Sequence, residues 1–115
     1  MPRSTEVNIK VQLGDDNIPE RIHWTATESK DNSSANAKAI LVSIFEEETK
    51  DTLKLDLWTK DMQVHEMDRF VYHTLRALSE TYLRATNNNA LANDMMNFAQ
   101  YFGEKVEVIP PQSAS

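Results

Sequence analysis

The chain has 115 residues, a formal net charge of −6 and no cysteine. This length fits one domain that buries about two-thirds of its unfolded surface, so it needs no covalent staple. The acidic balance disfavours nucleic acid and anionic membranes as partners, because both are bound through clustered cations. The lack of cysteine excludes disulfides, thiolate metal sites and thiol nucleophiles. We expect a single domain over residues 1–115, with its core at about 5–109 and a disordered tail at 110–115.

Targeting and membrane segments are not predicted. Residues 1–7 read M-P-R-S-T-E-V, without the apolar stretch of a secretory signal. No stretch approaches the roughly 20 apolar residues that span a bilayer. We therefore expect a cytoplasmic protein that is not inserted into a membrane.

Two strands are predicted near the N-terminus. The first, at 5–13, alternates polar and apolar side chains, and its apolar face holds Val7, Ile9, Val11 and Leu13. The G-D-D-N sequence at 14–17 tolerates turn dihedrals, and a second alternating run begins at Pro19. Together they predict an antiparallel hairpin. The polar stretch at 27–36 that follows is predicted to be a surface loop.

Two further strands are predicted around an acidic turn. The apolar run at 37–45 fits a helix as well as a strand with two apolar faces. Its short length favours the strand, as do its β-branched residues Ile40, Val42 and Ile44. In that strand Leu41 and Phe45 point away from the β-branched set. A turn at 46–51 leads to a fourth strand, in which leucines alternate with other residues at 53–58.

After Asp61 the apolar period changes to that of a helix. The first stripe holds Val64, Met67, Val71, Leu75, Leu78, Tyr82 and Ala85. Thr59 or Asp61 is expected to cap its start, and the asparagines at 87–89 to end it. The second stripe holds Leu91, Met95, Phe98, Phe102 and Val106. Gly103 favours an end or fraying there, because glycine costs about 1 kcal/mol in a helix.

The predicted order is ββββαα, an α+β fold. Strands followed by helices predict a four-stranded antiparallel sheet with two C-terminal helices packed on one of its faces.

No catalytic residue, cofactor site or metal site is predicted. His65 and His73 lie two turns apart on one predicted helix, which is too far to share a metal directly. The glutamates at 46–48 occupy a turn, where solvation explains them. With only two glycines in the chain, a glycine-rich phosphate loop is excluded. We expect a protein that is not an enzyme.

One apolar surface exceeds the needs of a monomer. Two helices cover one face of a four-stranded sheet, yet the third strand is apolar on both faces. Uncovered apolar surface marks association sites, and isologous dimers are the commonest outcome. We predict that Leu41, Phe45 and Trp58 lie in or near a homo-oligomer or partner surface. The alternative is that the loop at 27–36 folds over this face.

Four segments resemble the gliding motility-associated protein GldC family. They read I-P-E-R-I-H-W-T-A at 18–26, D-T-L-K-L-D-L-W-T-K-D-M at 51–62, L-R-A-T-N at 83–87 and N-F-A-Q-Y-F-G-E-K at 97–105. The resemblance extends over about residues 5–109. Gln63 stands where the family pattern leads us to expect a helix-starting proline.

The resemblance implies an accessory or assembly role, without enzymatic activity, in the gliding motility and secretion apparatus of Bacteroidota. Its partners would be proteins of that machinery, and it transfers no catalytic residue. The ββββαα order is also similar to that of the export chaperone SecB. That similarity leaves open a chaperone function, in which an apolar sheet face binds unfolded export clients.

Overall fold

The computed structural model describes residues 4–27 and 34–111. The chain divides into two compact units, Met1–Met62 and Gln63–Ser115. Strands form the first unit and helices the second. Most of the predicted loop, residues 28–33, lies outside the described ranges, and so do residues 112–115 of the predicted tail.

The first unit begins with an antiparallel sheet of three strands. These are β1 (Val7–Leu13), β2 (Pro19–Ala26) and β3 (Ser34–Ala37). The register places Val11 opposite Ile22 and Ile22 opposite Ala37, so these three residues share one face. Ile22 is fully buried at the centre of this row. The alternation that predicted the N-terminal hairpin thus identifies the face that holds the buried Ile22, although Val7, Ile9 and Leu13 on β1 are exposed.

The turn between β1 and β2 has the predicted chemistry. The Asn17 N–H donates to the Gly14 oxygen at 2.9 Å, and the Gly14 N–H donates to the Ile18 oxygen at 3.0 Å. Asn17 has φ 62°, a left-handed conformation that asparagine tolerates better than most residues. The register shifts beside this turn, where Leu13 pairs with Pro19.

A second sheet contains two antiparallel strands, β4 (Ala39–Phe45) and β5 (Thr52–Trp58). Residues 39–45 therefore form a strand, as their β-branched content predicted, and not a helix. The acidic turn is closed by the Glu46 N–H, which donates to the Asp51 oxygen at 2.9 Å. Lys50 takes the left-handed conformation in this turn, with φ 63°.

The prediction of one four-stranded sheet is wrong: the described residues form five strands in two sheets. Residues 34–36 were expected to belong to a loop because they are polar, and Ala37 was expected to begin the next strand. Ser34–Ala37 is nevertheless paired to β2, with Ala35 opposite Trp24, and His23 Nδ1 lies 2.8 Å from Asn36 Oδ1. Lys38 alone separates β3 from β4, so one extended stretch pairs with β2 and then with β5.

The second unit contains α1 (Val64–Thr86) and α2 (Asn89–Lys105). The N-cap of α1 is Gln63, so the predicted caps Thr59 and Asp61 are wrong. Thr59 instead donates its Oγ1 hydroxyl to Asp61 Oδ1 at 2.5 Å. The Gln63 N–H donates to Glu66 Oε1 at 3.0 Å, which is half of a capping box. A proline at position 63 would lack this N–H.

The asparagines between the helices end one and begin the other, as predicted. Asn87 has φ 59°, and its N–H donates to the Leu83 oxygen at 2.7 Å. Asn88 then caps α2, since its Oδ1 accepts the Leu91 N–H at 3.1 Å. The helix continues through Gly103 to Lys105, so the glycine is not its end.

The helices form an antiparallel hairpin whose contact is made by small residues. The Ser79 hydroxyl donates to the Ala92 oxygen at 2.8 Å, and further along the pair Gly103 lies against the ring of Tyr72. The buried residues of the two helices are Tyr72, Ser79, Ala92, Ala99 and Gly103. Large members of the predicted stripes, such as Leu78 and Phe98, stay about half exposed.

Candidate interaction surface

The β4–β5 ribbon has two faces of different character. Directly opposite residues of an antiparallel pair share a face. The mixed face carries Ala39, Leu41, Ser43, Phe45, Thr52, Lys54, Asp56 and Trp58. The aliphatic face carries Ile40, Val42, Ile44, Leu53, Leu55 and Leu57. The predicted orientation of the third strand, with Leu41 and Phe45 on one side, matches this register.

All three predicted interface residues lie on the mixed face, and all three are exposed. Leu41 is 44% exposed, Trp58 53% and Phe45 66%. A partner that covers these side chains removes their apolar surface from water, which stabilises the complex by about 25 cal/mol per Å². Their role in an interface stays a prediction, because exposure identifies no partner.

Two of the three residues are close neighbours and the third lies apart. Leu41 pairs with Asp56 and Trp58 pairs with Ala39, so Leu41 and Trp58 are diagonal neighbours. Such diagonal positions lie about 7–8 Å apart, within reach of an indole ring. Phe45 lies four residues along β4, about 13 Å away. The mixed face therefore has an apolar cluster of Leu41 and Trp58 and a separate aromatic side chain beside the acidic turn.

A groove of about 350 Å³ adjoins Trp58. It is lined by Ile18, Pro19, Asp56, Leu57 and Trp58. Its two sides are connected through the backbone, because the Lys60 N–H donates to the Pro19 oxygen at 3.0 Å. An apolar side chain of a partner could enter beside the indole, with the Asp56 carboxylate at the margin.

An exposed ion cluster ties the β1–β2 turn to the residues after β5. Lys60 Nζ lies 3.2 Å from Glu20 Oε2 and 3.5 Å from Asp16 Oδ2. The Ile18 N–H bonded to Asp16, at 3.1 Å, lowers the pKa of that carboxyl, and Lys60 lowers it further. The hydrogen bond to Glu20 and the charge of Asp16 raise the pKa of Lys60. The cluster adds a side-chain link between the two segments that border the groove near Trp58.

The sequence did not indicate how exposed the aliphatic face is near the acidic turn. Ile44, Leu53 and Leu55 all belong to the exposed large apolar residues. Their alternation was visible in the sequence, but alternation reports which side chains share a face and not whether that face is covered. The end of the ribbon near residues 46–51 thus offers apolar side chains on both faces.

The described residues assemble no metal site. Within 4–27 and 34–111, no group of three or more His, Cys, Asp or Glu residues could hold a metal ion. In the same ranges no helix is long and apolar enough to cross a bilayer. Of the histidines, His23 lies beside Asn36 on the three-stranded sheet, and His65 and His73 are exposed on α1.

The fold is that of a small α+β protein whose β4–β5 ribbon exposes large apolar side chains on both faces. The chain belongs to the gliding motility-associated protein GldC-like family, whose model matches residues 19–108. This confirms the resemblance seen in the sequence. It is not a known enzyme family. Comparisons with curated proteins and with solved structures find no match.

Proposed function

We propose that the chain is a non-enzymatic accessory or assembly protein of the gliding motility apparatus. It acts in the cytoplasm by binding a protein of the motility or secretion machinery, and it self-associates. Membership of the gliding motility-associated family supports the setting. The observation that carries the binding function is the exposed cluster of Leu41 and Trp58, with Phe45 beyond it on the mixed face.

The charges around the ribbon define the partner segment that this surface would accept. The acidic turn begins directly after Phe45 with Glu46, Glu47 and Glu48. Charge complementarity favours a partner segment that combines apolar side chains with lysine or arginine. An acidic or phosphorylated segment would be repelled at this end of the ribbon.

The test uses a strain of the native host that lacks this chain. It is complemented with the wild type or with L41S/F45S/W58S, and colony spreading is measured. We expect the triple variant to restore little spreading and to co-purify with less of the motility and secretion proteins than the wild type does. Far-ultraviolet circular dichroism of the purified variant checks that the strands and helices persist.

The matched control changes polar residues of the same face. T52A/K54A lies between and beside the three apolar positions on the mixed face, and we expect it to spread and co-purify as the wild type does. Full complementation by a folded L41S/F45S/W58S chain would remove this surface from the function.

A second candidate function is a SecB-like chaperone that binds unfolded export clients. The observation that favours it is the exposure of Ile44, Leu53 and Leu55 on the aliphatic face, since a ribbon apolar on both faces suits many sequences. The distinguishing measurement is light scattering of an unfolded client protein. A chaperone suppresses aggregation near stoichiometric amounts, whereas an assembly protein with one partner leaves the scattering unchanged.

A further inference from the structure

A seam of exposed residues runs the length of α2, away from its buried side. Its members are Leu91, Asp94, Phe98, Tyr101 and Lys105, and each is exposed. They are spaced three, four, three and four residues apart, which is the a/d spacing of a coiled-coil seam. Phe98 is 53% exposed and Tyr101 57%, although aromatic residues at such positions are normally buried by a second helix.

The contact between α1 and α2 does not bury the seam residues. Small residues such as Ala92 and Ala99 make this contact, so the helices approach closely and the large side chains remain outside. Leu75 and Tyr82 of α1 line a groove of about 470 Å³ together with Leu91, Asp94, Met95 and Phe98 of α2. The groove is nearly all apolar, with Asp94 as its charged member. It has the form that receives the ridge of another helix.

We propose that the occupant is α2 of a second copy of this chain, packed antiparallel across a twofold axis between Phe98 and Tyr101. The two hairpins then form a four-helix arrangement. This deepens the self-association included in the proposed function by naming its surface and register. The residues of this contact are different from those of the β4–β5 ribbon.

The charges on the seam select this register. An axis between Phe98 and Tyr101 places Phe98 across from the partner's Tyr101. The same axis places Asp94 across from the partner's Lys105, and Lys105 across from Asp94 of the partner subunit. Parallel packing would instead set like charges against each other at both positions. Two opposite charges and two aromatic residues thus match across one midpoint.

The apolar area agrees with a dimer interface. Half-exposed Leu91, Phe98 and Tyr101 together offer on the order of 300 Å² per chain, since a fully buried aromatic residue removes about 150–250 Å² from water. The groove residues Leu75, Tyr82 and Met95 add to this area. A standard interface buries about 800 Å² per partner, and slightly more than half of it is apolar. A second copy is present wherever the protein is made, so it can cover this area permanently, as an obligate interface requires.

Charge exchange in the full-length chain tests the register. D94K and K105D each replace attraction by repulsion at two symmetric positions, and D94K/K105D restores attraction. By sedimentation equilibrium we expect each single variant to weaken dimerisation about tenfold and the double variant to return to within about threefold of the wild type. Both positions are exposed, so circular dichroism at concentrations where the chains are dimeric should show the same secondary structure in all three.

Cysteine cross-linking gives a second measurement, because the chain has no native cysteine. In D94C/K105C the two positions on one helix are about 16 Å apart. A disulfide needs Cα atoms about 4.4–6.8 Å apart, so it can form only between two chains. We expect covalent dimers from the double variant under mild oxidation and few from D94C or K105C alone.

Three outcomes separate this proposal from the proposed function. A wild-type chain that is monomeric at all concentrations overturns the seam and the self-association together, while partner capture through the ribbon is judged separately. An oligomer that ignores the charge exchange and does not cross-link overturns the seam alone. L41S/F45S/W58S should remain dimeric, and its dissociation would place the oligomer contact on the ribbon and overturn the seam.

Discussion

Gly103 has no side chain, and this allows α2 to approach Tyr72 of α1 closely. A Cβ atom at Gly103 would lie 2.6 Å from Tyr72 Cε1 and 2.7 Å from Tyr72 Cδ1. Tyr72 is buried, and its hydroxyl accepts a hydrogen bond from Arg76 Nη1 at 3.2 Å, so the ring has little freedom to yield. The close approach therefore outweighs the helix propensity that an alanine would add.

We expect G103A to lower the free energy of unfolding by about 1–3 kcal/mol, because the added methyl overpacks the contact with Tyr72. Urea unfolding followed by circular dichroism measures this.

The matched control is G14A, whose Cβ would meet the exposed carboxylate end of Glu20 and not a buried ring, so the loss there is limited to part of an exposed ion pair with Lys60. It should change the free energy of unfolding by about 0.5 kcal/mol or less. Equal losses in both variants would contradict the packing explanation.

The end of α2 contains a Schellman motif built on a glutamate. The Val108 N–H donates to the Gly103 oxygen at 2.9 Å, and the Glu107 N–H donates to the Glu104 oxygen at 3.2 Å. Glu107 has φ 63°, a left-handed conformation that costs a residue with a Cβ about 1–2 kcal/mol.

Glycine relieves that cost, so E107G should raise the free energy of unfolding by about 0.5–1 kcal/mol after the added freedom of the unfolded chain is subtracted. Thermal unfolding monitored at 222 nm tests it. E48G removes the same charge at a turn residue without positive φ, and we expect no gain there. A gain of the same size in E48G would show that charge and not backbone strain is responsible.

At the scale of elements, the cluster of Lys60, Asp16 and Glu20 joins two strand ends that are far apart in the sequence. The pKa of Asp16 is lowered in the folded chain. Its ionised form therefore stabilises the fold above the ordinary pKa of 3.8, and that stabilisation disappears as the pH falls through the lowered pKa. The raised pKa of Lys60 affects stability at alkaline pH instead. Protonated Lys60 stabilises the fold, and this stabilisation is lost as the pH rises through the raised pKa.

D16N should accordingly be less stable than the wild type at neutral pH, and the difference should close as the pH falls below the lowered pKa of Asp16. Asparagine keeps an oxygen for the Ile18 N–H, so the change isolates the charge. Chemical denaturation between neutral and acidic pH measures the difference. D15N serves as the control, because it makes the same charge change one residue earlier; a D16N deficit that persists unchanged in acid would refute the assignment.

The sequence predicted elements wherever they carry their own periodic pattern. The leucines of β5, the alternation of β1 and the stripe of α1 all mark real elements. Residues 34–36 were not predicted to be a strand, because their pairing with β2, and not their own composition, makes them one. The contact between the helices escaped prediction for a related reason, since it is made by Ala92, Ala99 and Gly103, which are too small to stand out in an apolar stripe.

The sequence predicted which residues of the candidate surface share a face, but it did not predict which faces are exposed. Placing Leu41 and Phe45 on one face followed from strand geometry, and Trp58 followed from its position after the leucines. The exposure of Ile44 and Leu53 on the opposite face depends on what packs there, which a local pattern does not record. The spacing of the seam residues on α2 is visible in the sequence, but the same spacing is also typical of a stripe that faces the core.

For the whole molecule, few large apolar side chains are buried. In the described residues the buried apolar set is Ile22, Tyr72, Ala92 and Ala99, while fifteen large apolar residues are exposed. A single chain of this kind gains little from burial compared with the entropy it loses on folding. Its stability should therefore depend strongly on association.

The midpoint of thermal unfolding should rise with protein concentration. If folding and dimerisation are coupled, each tenfold increase adds about 1.4 kcal/mol per dimer, or about 2–4 °C for a dimer of this size. Calorimetry over a hundredfold concentration range detects this. D94K should flatten the dependence, and a midpoint independent of concentration in the wild type would contradict coupled assembly.

The single residue Lys38, where one stretch of chain leaves the first sheet and enters the second, restricts insertions and deletions. After a residue is added or removed there, both strands could still form their backbone hydrogen bonds. The side chains of either β3 or β4 would then point to the opposite face of their sheet, because side chains alternate at every position. If β3 changes, Ala35 and Ala37 no longer share a face with Trp24 and Ile22. If β4 changes, Leu41 and Ile40 exchange faces. Length variation should be tolerated at residues 46–51 and rejected at this corner.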